Sequence, residues 1–449
     1  MERVPNTIPE LLESRVREAP DAPWLFFEDR HWTHADTADE VDRAAAALAA
    51  RGVVKGDTVV ILLGNRPETI FTWFGANRLG AAAMIVNPSF KPAEREALFA
   101  VAKPRVVVEE PLAGDVGGPV AAVDVAPDDV TSIVATSGTS GTPKLVPQTH
   151  GLYALVAEAL PWWLGLDARD RLMTSLPLFH INAQLYSTIG SLGAKASLVL
   201  LPKFSASRFW EDAKRYGATE LNAVGAMIHI LLATEPKPSD RDHSVRLVYS
   251  ALALPEEKHR AFEERFGVKM IVGYGMSETP FGTIWPLDQP PRYGTMGVLR
   301  QHPRLGVVNE ARVADDGELS LKNPATHGAW LATGDIVKRD DDGWFTFVSR
   351  KRDILRRRGE NVAAAEIEAV LLAHDDVLEA AVVAVPSELG EDDIAAFVVA
   401  KEGKVLDVEQ LRAFCKDRLA DFKVPTEFAV RDALPKNATQ RIQKHLLRL

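Results

Sequence analysis

Residues 131–150, TSIVATSGTSGTPKLVPQTH, hold the residue types of a phosphate cradle in a usable order. An apolar run at 132–135 feeds a loop in which Gly138 and Gly141 alternate with Thr136, Ser137, Thr139, Ser140 and Thr142, and Lys144 closes it. Glycines let successive backbone N–H groups turn inward as an anion nest, hydroxyls add donors and the lysine balances charge, so the loop suits a polyphosphate. The GxxxxGK[ST] spacing of a Walker loop is absent. A flexible Ser/Gly linker is the plain alternative, but linkers do not follow a buried strand or end in Pro-Lys.

The elements that must hold this loop alternate along the chain. A helical period at 39–51 gives way to KGD and then to TVVILL at 58–63, and similar apolar runs recur at 83–86, 105–108, 197–201, 246–249 and 268–272. That pattern predicts an α/β fold, with a large N-terminal domain of mostly parallel sheets covered by helices. After residue 299 the hairpin signals ADDG (314–317) and DDDG (340–343) sit between ELSL and WFTFVSR, which predicts a β-rich subdomain over 299–350. The basic stretch RKRDILRRRG at 350–359 then leads into helix (363–373), strand (380–385), strand (395–400) and helix (408–419). The expected domains are therefore 1–350 and a small α+β domain at 351–449.

The 449 residues are 46% hydrophobic and 25% charged, which excludes disorder as the dominant state, and the formal charge of −10 without a basic tail argues against nucleic-acid binding. The single cysteine, Cys415, makes no intrachain disulfide, CxxC pair or thiolate metal site, which fits a reducing compartment. The N-terminal segment mixes charges into its apolar period, unlike a signal peptide, and no apolar stretch approaches the roughly 20 residues of a membrane span. A soluble, cytoplasmic protein is expected.

Seven segments together resemble the adenylate-forming superfamily of acyl-CoA synthetases, aryl-CoA ligases, luciferases and adenylation domains. In order they are RGVVKGDTVVILLGNRPE (51–68), the loop at 136–144, LPLFHINAQ (176–184), GYGMSET (273–279), TGD (333–335), RKRDILRRRGENVAAAEIE (350–368) and FKVP (422–425). The resemblance implies a two-step reaction. A carboxylate attacks the α-phosphorus of ATP and pyrophosphate leaves; a thiol then captures the acyl-adenylate. Both steps call for charge neutralisation rather than a protein nucleophile.

By the same resemblance, Thr136, Ser137, Gly138, Thr139, Ser140 and Lys144 hold the β- and γ-phosphates, and Glu278 ligates Mg²⁺ through oxygen. Ser277 stands where threonine is usual and still offers a hydroxyl to the α-phosphate. Tyr274, beside Gly275, stacks on adenine; Asp335 accepts the ribose hydroxyls with Arg350 close by. His180 lines the acyl pocket, and because an imidazole supplies no fixed negative charge for an ammonium, a substrate without an α-amino group is expected. Asn182, Gln184, Val224, Ala226 and Ala251 are further candidates for the pocket lining, with plain core packing as the alternative.

The C-terminal domain of such proteins rotates between half-reactions, so the resemblance implies a mobile domain at 351–449, and the matching hinge residue is Arg352. Gly359 matches a loop glycine that approaches the thioester tunnel, where the missing side chain permits close passage. The run Lys351, Arg352, Arg356, Arg357 and Arg358 is either a solvated face or a landing site for coenzyme A phosphates.

The resemblance breaks at LPKNATQRIQK, 434–444, where Arg441 occupies the position of the family's adenylating lysine. A guanidinium keeps the charge but is a planar, bulkier fork. The chain is also short for the family, mainly before the phosphate loop and between Glu278 and Asp335. The leading expectation is an ATP-dependent carboxylate–CoA ligase for a small or aromatic acid, using ATP, Mg²⁺ and coenzyme A. The alternatives are a different acceptor (a carrier-protein thiol, an amine, or nitrite activated for attack by an aryl amine) and a degenerate nucleotide-binding homologue without turnover.

Overall fold

The structure, a computed structural model, describes residues 5–112, 120, 123–136, 144–251, 253–357, 360–386, 392–436 and 442–449. Two compact units emerge: Met1–Glu310 with Lys322–Ala329, and Ala311–Leu321 with Trp330–Leu449.

The first unit is built on two large sheets. One has the order Val106–Val108, Thr58–Ile61, Ala82–Ile85, Val130–Thr136, Lys144–Thr149. Its first four strands run parallel and the last is antiparallel. Val59, Val60, Ile61 and all four residues of Ala82–Ile85 are buried, as expected of short apolar strands covered on both faces.

The other sheet has nine strands, in the order Val298–Leu299, Thr279–Ile284, Lys269–Met276, Leu247–Ser250, Glu220–Ala223, Arg171–Thr174, Ser197–Leu200, Pro23–Phe27, Arg30–Thr33. The six strands from Lys269–Met276 to Pro23–Phe27 are parallel, and antiparallel pairs close both edges. Strands Arg171–Thr174 and Glu220–Ala223 were not predicted; each is four residues long and opens on a charged residue. The helix expected at 39–51 spans His34–Ala50. It starts earlier because Thr33 caps it: the Asp36 N–H donates to Thr33 Oγ1 and the Asp36 carboxylate accepts from the Thr33 N–H, both at 3.0 Å.

The second unit holds an antiparallel sheet of Glu318–Lys322, Leu331–Arg339 and Phe345–Arg350, with Glu310–Val313 at its edge. Both predicted hairpin turns fall between its strands. A three-stranded sheet of Val377–Pro386, Asp392–Ala400 and Glu427–Val430 follows. Alternation serves both of its faces: Ile394, Ala396 and Val398 pack with Ile367, Leu371, Leu411 and Cys415, while Ala395, Phe397 and Val399 pack with Leu434 and Leu447. Part of the basic run forms a hairpin that sequence reading missed, Ile354–Arg357 against Glu360–Ala363.

Candidate active site

The phosphate-loop candidate is the connection of a β-hairpin. Strand Val130–Thr136 enters it, strand Lys144–Thr149 leaves it, and Thr136 pairs directly with Lys144. Ser137, Gly138, Thr139 and Ser140 lie outside the described residues, as do Gly359 and Arg441; of Arg352 only the backbone is described.

GYGMSET forms a second hairpin. Met276 pairs with Thr279, which leaves Ser277 and Glu278 as the two turn residues. Its glycines are required by close approach: a Cβ on Gly273 would collide with the Tyr249 hydroxyl, and one on Gly275 with the Pro280 carbonyl oxygen. Strand Lys144–Thr149 is tied to this turn at two points. Lys144 Nζ lies 2.7 Å from Glu278 Oε1, and Gln148 Nε2 donates to the Ser277 carbonyl oxygen at 2.8 Å. Lys144 is 56% and Glu278 18% exposed, so the pair is open to a ligand, whereas Gln148 is buried. Tyr274 is half-buried and Gly275 exposed on the same hairpin.

The LPLFHINAQ segment follows strand Arg171–Thr174 and enters a π-helix, Ala183–Ile189, a rare form that recurs at functional sites. Asn65, in the GNRPE motif, clamps this segment: its Nδ2 donates to the carbonyls of Leu176 and Leu201 at 2.9 and 3.1 Å, and its Oδ1 accepts from the Leu178 N–H at 2.8 Å. That role was missed, although the motif itself was noticed. His180 packs edge-on against Phe179, and burial lowers its imidazole to about 4. His180 Nε2 and Asn182 Oδ1 are buried polar atoms without a hydrogen-bond partner among the described residues.

Of the two readings open for Gln184, pocket lining and core packing, its surroundings favour packing. It is fully buried, its Oε1 accepts from Ser132 Oγ at 2.8 Å and the Tyr153 hydroxyl at 2.5 Å, and its Nε2 donates to the Leu178 carbonyl at 2.8 Å. Its amide belongs to the frame behind the phosphate-loop strand. Val224 and Ala251 follow the paired strands Glu220–Ala223 and Leu247–Ser250 at their carboxyl ends, with the Ala251 N–H donating to the Ala223 carbonyl; Ala226 lies in the first turn of the next helix, Gly225–Ala233.

In the second unit, Asp335 and Arg350 are a cross-strand pair with Arg350 Nη1 2.7 Å from Asp335 Oδ1. Asp335 is wholly buried and Arg350 partly. Lys351 spans Asp316 and Glu318 at 2.7 Å each. Arg357 is neither solvated nor available to coenzyme A: it is buried, donates to the Val424 carbonyl at 3.0 Å and lies 3.7 Å from Asp393. The lysines flanking Arg441 are engaged as well, Lys436 with Glu379 and Lys444 with Glu368 at 2.7 Å and Asp353 at 3.5 Å.

The sequence profile of the AMP-binding enzymes matches residues 12–331, and that of the AMP-binding enzyme C-terminal domain matches 366–441. The chain belongs to the AMP-binding enzyme family. This AMP-binding enzyme is 32% identical to the crotonobetaine/carnitine–CoA ligase of Salmonella choleraesuis (strain SC-B67), an alignment of 504 residues covering 95% of this chain and 96% of that protein. The alignment is longer than the 449-residue chain, so the relative carries segments that this one lacks. The counterpart in Proteus mirabilis (strain HI4320) is 31% identical, with 93% of each chain covered. Among solved structures, the o-succinylbenzoate coenzyme A synthetase MenE of Bacillus subtilis with ATP and a magnesium ion superposes with a TM-score of 0.84 at 27% identity, covering 97% of this chain and 98% of that one. ATP-bound MatB from Rhodopseudomonas palustris shares the fold, with a TM-score of 0.87 at 24% identity and 98% of each chain covered.

No group of three or more His, Cys, Asp or Glu side chains placed to hold a metal ion occurs among the described residues. A single carboxylate such as Glu278 fits Mg²⁺ nonetheless, because that ion is commonly held by one or two carboxylates together with substrate phosphates, and Lys144, the lysine expected to meet phosphate, lies against it.

Proposed function

We propose that this AMP-binding enzyme is an ATP-dependent carboxylate–CoA ligase for a small or aromatic acid, working in the cytoplasm through an acyl-adenylate. Relatives covering nearly the whole chain are CoA ligases, and one solved relative holds ATP and magnesium. No helix of the described residues is long and apolar enough to cross a membrane.

The observation that carries the assignment is the contact of Lys144 with Glu278. It joins the strand leaving the phosphate loop to the turn of GYGMSET, so a cation for phosphates and an oxygen ligand for a metal stand at one place. Lys144, with Thr136 and the loop hydroxyls, neutralises the β- and γ-phosphates, and Ser277 donates to the α-phosphate. Tyr274 stacks on adenine, and Asp335 with Arg350 takes the ribose. His180, Asn182, Val224, Ala226 and Ala251 shape the acid pocket. Mg²⁺, when bound, is held by Glu278 and withdraws charge from phosphate oxygens.

In the first step a carboxylate oxygen bonds to the α-phosphorus as pyrophosphate leaves, with Arg441 neutralising the two anions that meet. In the second the coenzyme A thiol, losing its proton, bonds to the acyl carbon and AMP leaves. Lys436 and Lys444 already serve carboxylates, so neither replaces Arg441 in this reading.

The test is product analysis with Mg²⁺, ATP and a panel of aliphatic, benzoic, cinnamic and amino-aryl acids, with and without coenzyme A. AMP and a thioester are expected. AMP without a thioester would move the acceptor to a carrier thiol, an amine or nitrite, and ADP would overturn the reading. Arg441→Ala should lower AMP formation at least about tenfold, roughly 1.4 kcal/mol of barrier, while Arg441→Lys retains it.

A further inference from the structure

Arg300 is a cation that the ligase reading leaves unused, and it is wholly buried. Its Nε donates to the Thr283 carbonyl at 3.3 Å, and its Nη2 donates to the hydroxyls of Tyr186, at 3.2 Å, and Tyr249. The guanidinium lies 4.7 Å over the Trp163 ring. Nη1 has no hydrogen-bond partner among the described residues. Phenols, a carbonyl and an indole are neutral at physiological pH, so none of these contacts cancels the charge. An unmatched buried charge is strongly unfavourable, and its retention calls for a counter-ion.

The cage stands where a substrate would arrive. Tyr249 lies on Leu247–Ser250, two residues before the pocket candidate Ala251, and its hydroxyl packs into the space left by Gly273. Tyr186 belongs to the π-helix that Asn182 precedes, and donates to the Pro280 carbonyl beside Gly275. On the same π-helix Ser187 accepts from Asn222 Nδ2 at 2.7 Å, and Asn222 Oδ1 is a further buried atom without a partner among the described residues. Ligands of open α/β sheets bind beyond the carboxyl ends of the strands, and Asn222, Tyr249 and Gly273 lie near those ends on three neighbouring strands.

We propose that the counter-ion comes with the substrate: the acid carries a second anionic group at its far end, a carboxylate, which accepts from Arg300 Nη1. Tyr186 and Tyr249 orient the guanidinium and yield to admit that group. An acid with an apolar tail leaves the charge unmatched, and one with a cationic tail is repelled. The proposal rests on the ligase reading, since it names the acid that reading leaves open.

The test is acid-dependent ATP–pyrophosphate exchange on matched pairs: butyrate with succinate, pentanoate with glutarate, hexanoate with adipate, benzoate with isophthalate and terephthalate. In at least one pair the dicarboxylate should exceed its partner at least about tenfold in kcat/KM. Arg300→Met should bring that ratio to about one, and Arg300→Lys should retain part of it. Should Arg300→Met fail to fold, Arg300→Lys and Tyr249→Phe read the same ratio, each expected to reduce it severalfold. A parent enzyme preferring the monocarboxylate in every pair would overturn the proposal, as would variants that lower both members of a pair equally; Arg300 would then be packing alone. Exchange with no acid at all would instead sink the ligase reading.

Discussion

Two ion pairs of identical length, both at positions expected to meet ATP, do opposite things in this molecule. Lys144–Glu278 and Arg350–Asp335 are each 2.7 Å apart. The first joins residues 134 positions apart from two different sheets, with the lysine more than half exposed. The second joins neighbours on adjacent strands of one sheet, with the aspartate at 0% exposure. A pair in water contributes little to stability, so its members exchange partners readily when phosphate or metal arrives. A pair with one member fully desolvated is costly to break and serves as a fixed part of the frame. Distance alone does not distinguish a pair free to exchange partners from one that keeps its geometry when a ligand arrives; burial does.

The buried pair should show the largest effect, and an asymmetric one. Arg350→Met strips the cation from a wholly buried carboxylate, so the second unit should lose about 3 kcal/mol of stability. Asp335→Asn leaves an arginine that is 27% exposed and can turn to water, so the loss should be nearer 1 kcal/mol. Denaturant unfolding of the two variants checks this, and equal losses would remove burial as the reason for the difference.

For the open pair the effect moves from stability to rate. Glu278→Gln should lower AMP formation at least about a hundredfold, roughly 2.7 kcal/mol of barrier, and raise the magnesium requirement, while unfolding stability changes by less than about 1 kcal/mol. A variant that forms AMP normally at saturating magnesium would take Glu278 out of the metal site. Between these extremes sits Gln148, which is buried like Asp335 but holds the GYGMSET turn through the Ser277 carbonyl. Gln148→Leu should cost about tenfold in AMP formation, close to 1.4 kcal/mol. An unchanged rate would mean that the turn is fixed by its own hairpin pairing.

What the sequence disclosed follows the same division. The chemistry expected of the phosphate-loop candidate is local, written in closely spaced glycines, hydroxyls and a lysine, and GYGMSET is equally self-contained. Parallel strands such as Thr58–Ile61 are visible because burial on both faces demands an unbroken apolar run. Asn65, Gln148 and Arg300 are single polar residues whose partners lie 17 to 136 positions away, and no local pattern marks them. The basic run hides its roles for a related reason: five cations within residues 351–358 read as one surface, yet Arg357 is buried against the Val424 carbonyl and Lys351 serves two carboxylates. The place of Gln184 in a motif leaves pocket lining and core packing equally open, and only its distant partners Ser132 and Tyr153, with Leu178, show where its amide is spent.

His180 gives the smallest expected effect and extends the comparison to a group with no charged partner. Burial is the cause of its low pKa, about 4 against an ordinary 6.5, so the imidazole is neutral throughout the range in which an enzyme of this kind would be assayed. Whatever it contributes to acid recognition is therefore the shape and hydrogen bonding of a neutral ring, with Nε2 the buried atom that lacks a partner among the described residues. His180→Ala should shift kcat/KM among acids a fewfold and leave the KM for ATP unchanged. Between pH 5.5 and 8 the pH profiles of parent and variant should run parallel, because no proton is exchanged at this position in the folded state. Stability should respond where activity does not. The unfolded imidazole takes a proton as pH falls through 6.5 and the folded one only near 4, so the parent loses stability on acidification across that window and the alanine variant loses less. A step near pH 6.5 in the parent's acid kinetics that disappears in the variant would show that His180 ionises in the working enzyme, and would place it with the open pair rather than with the frame.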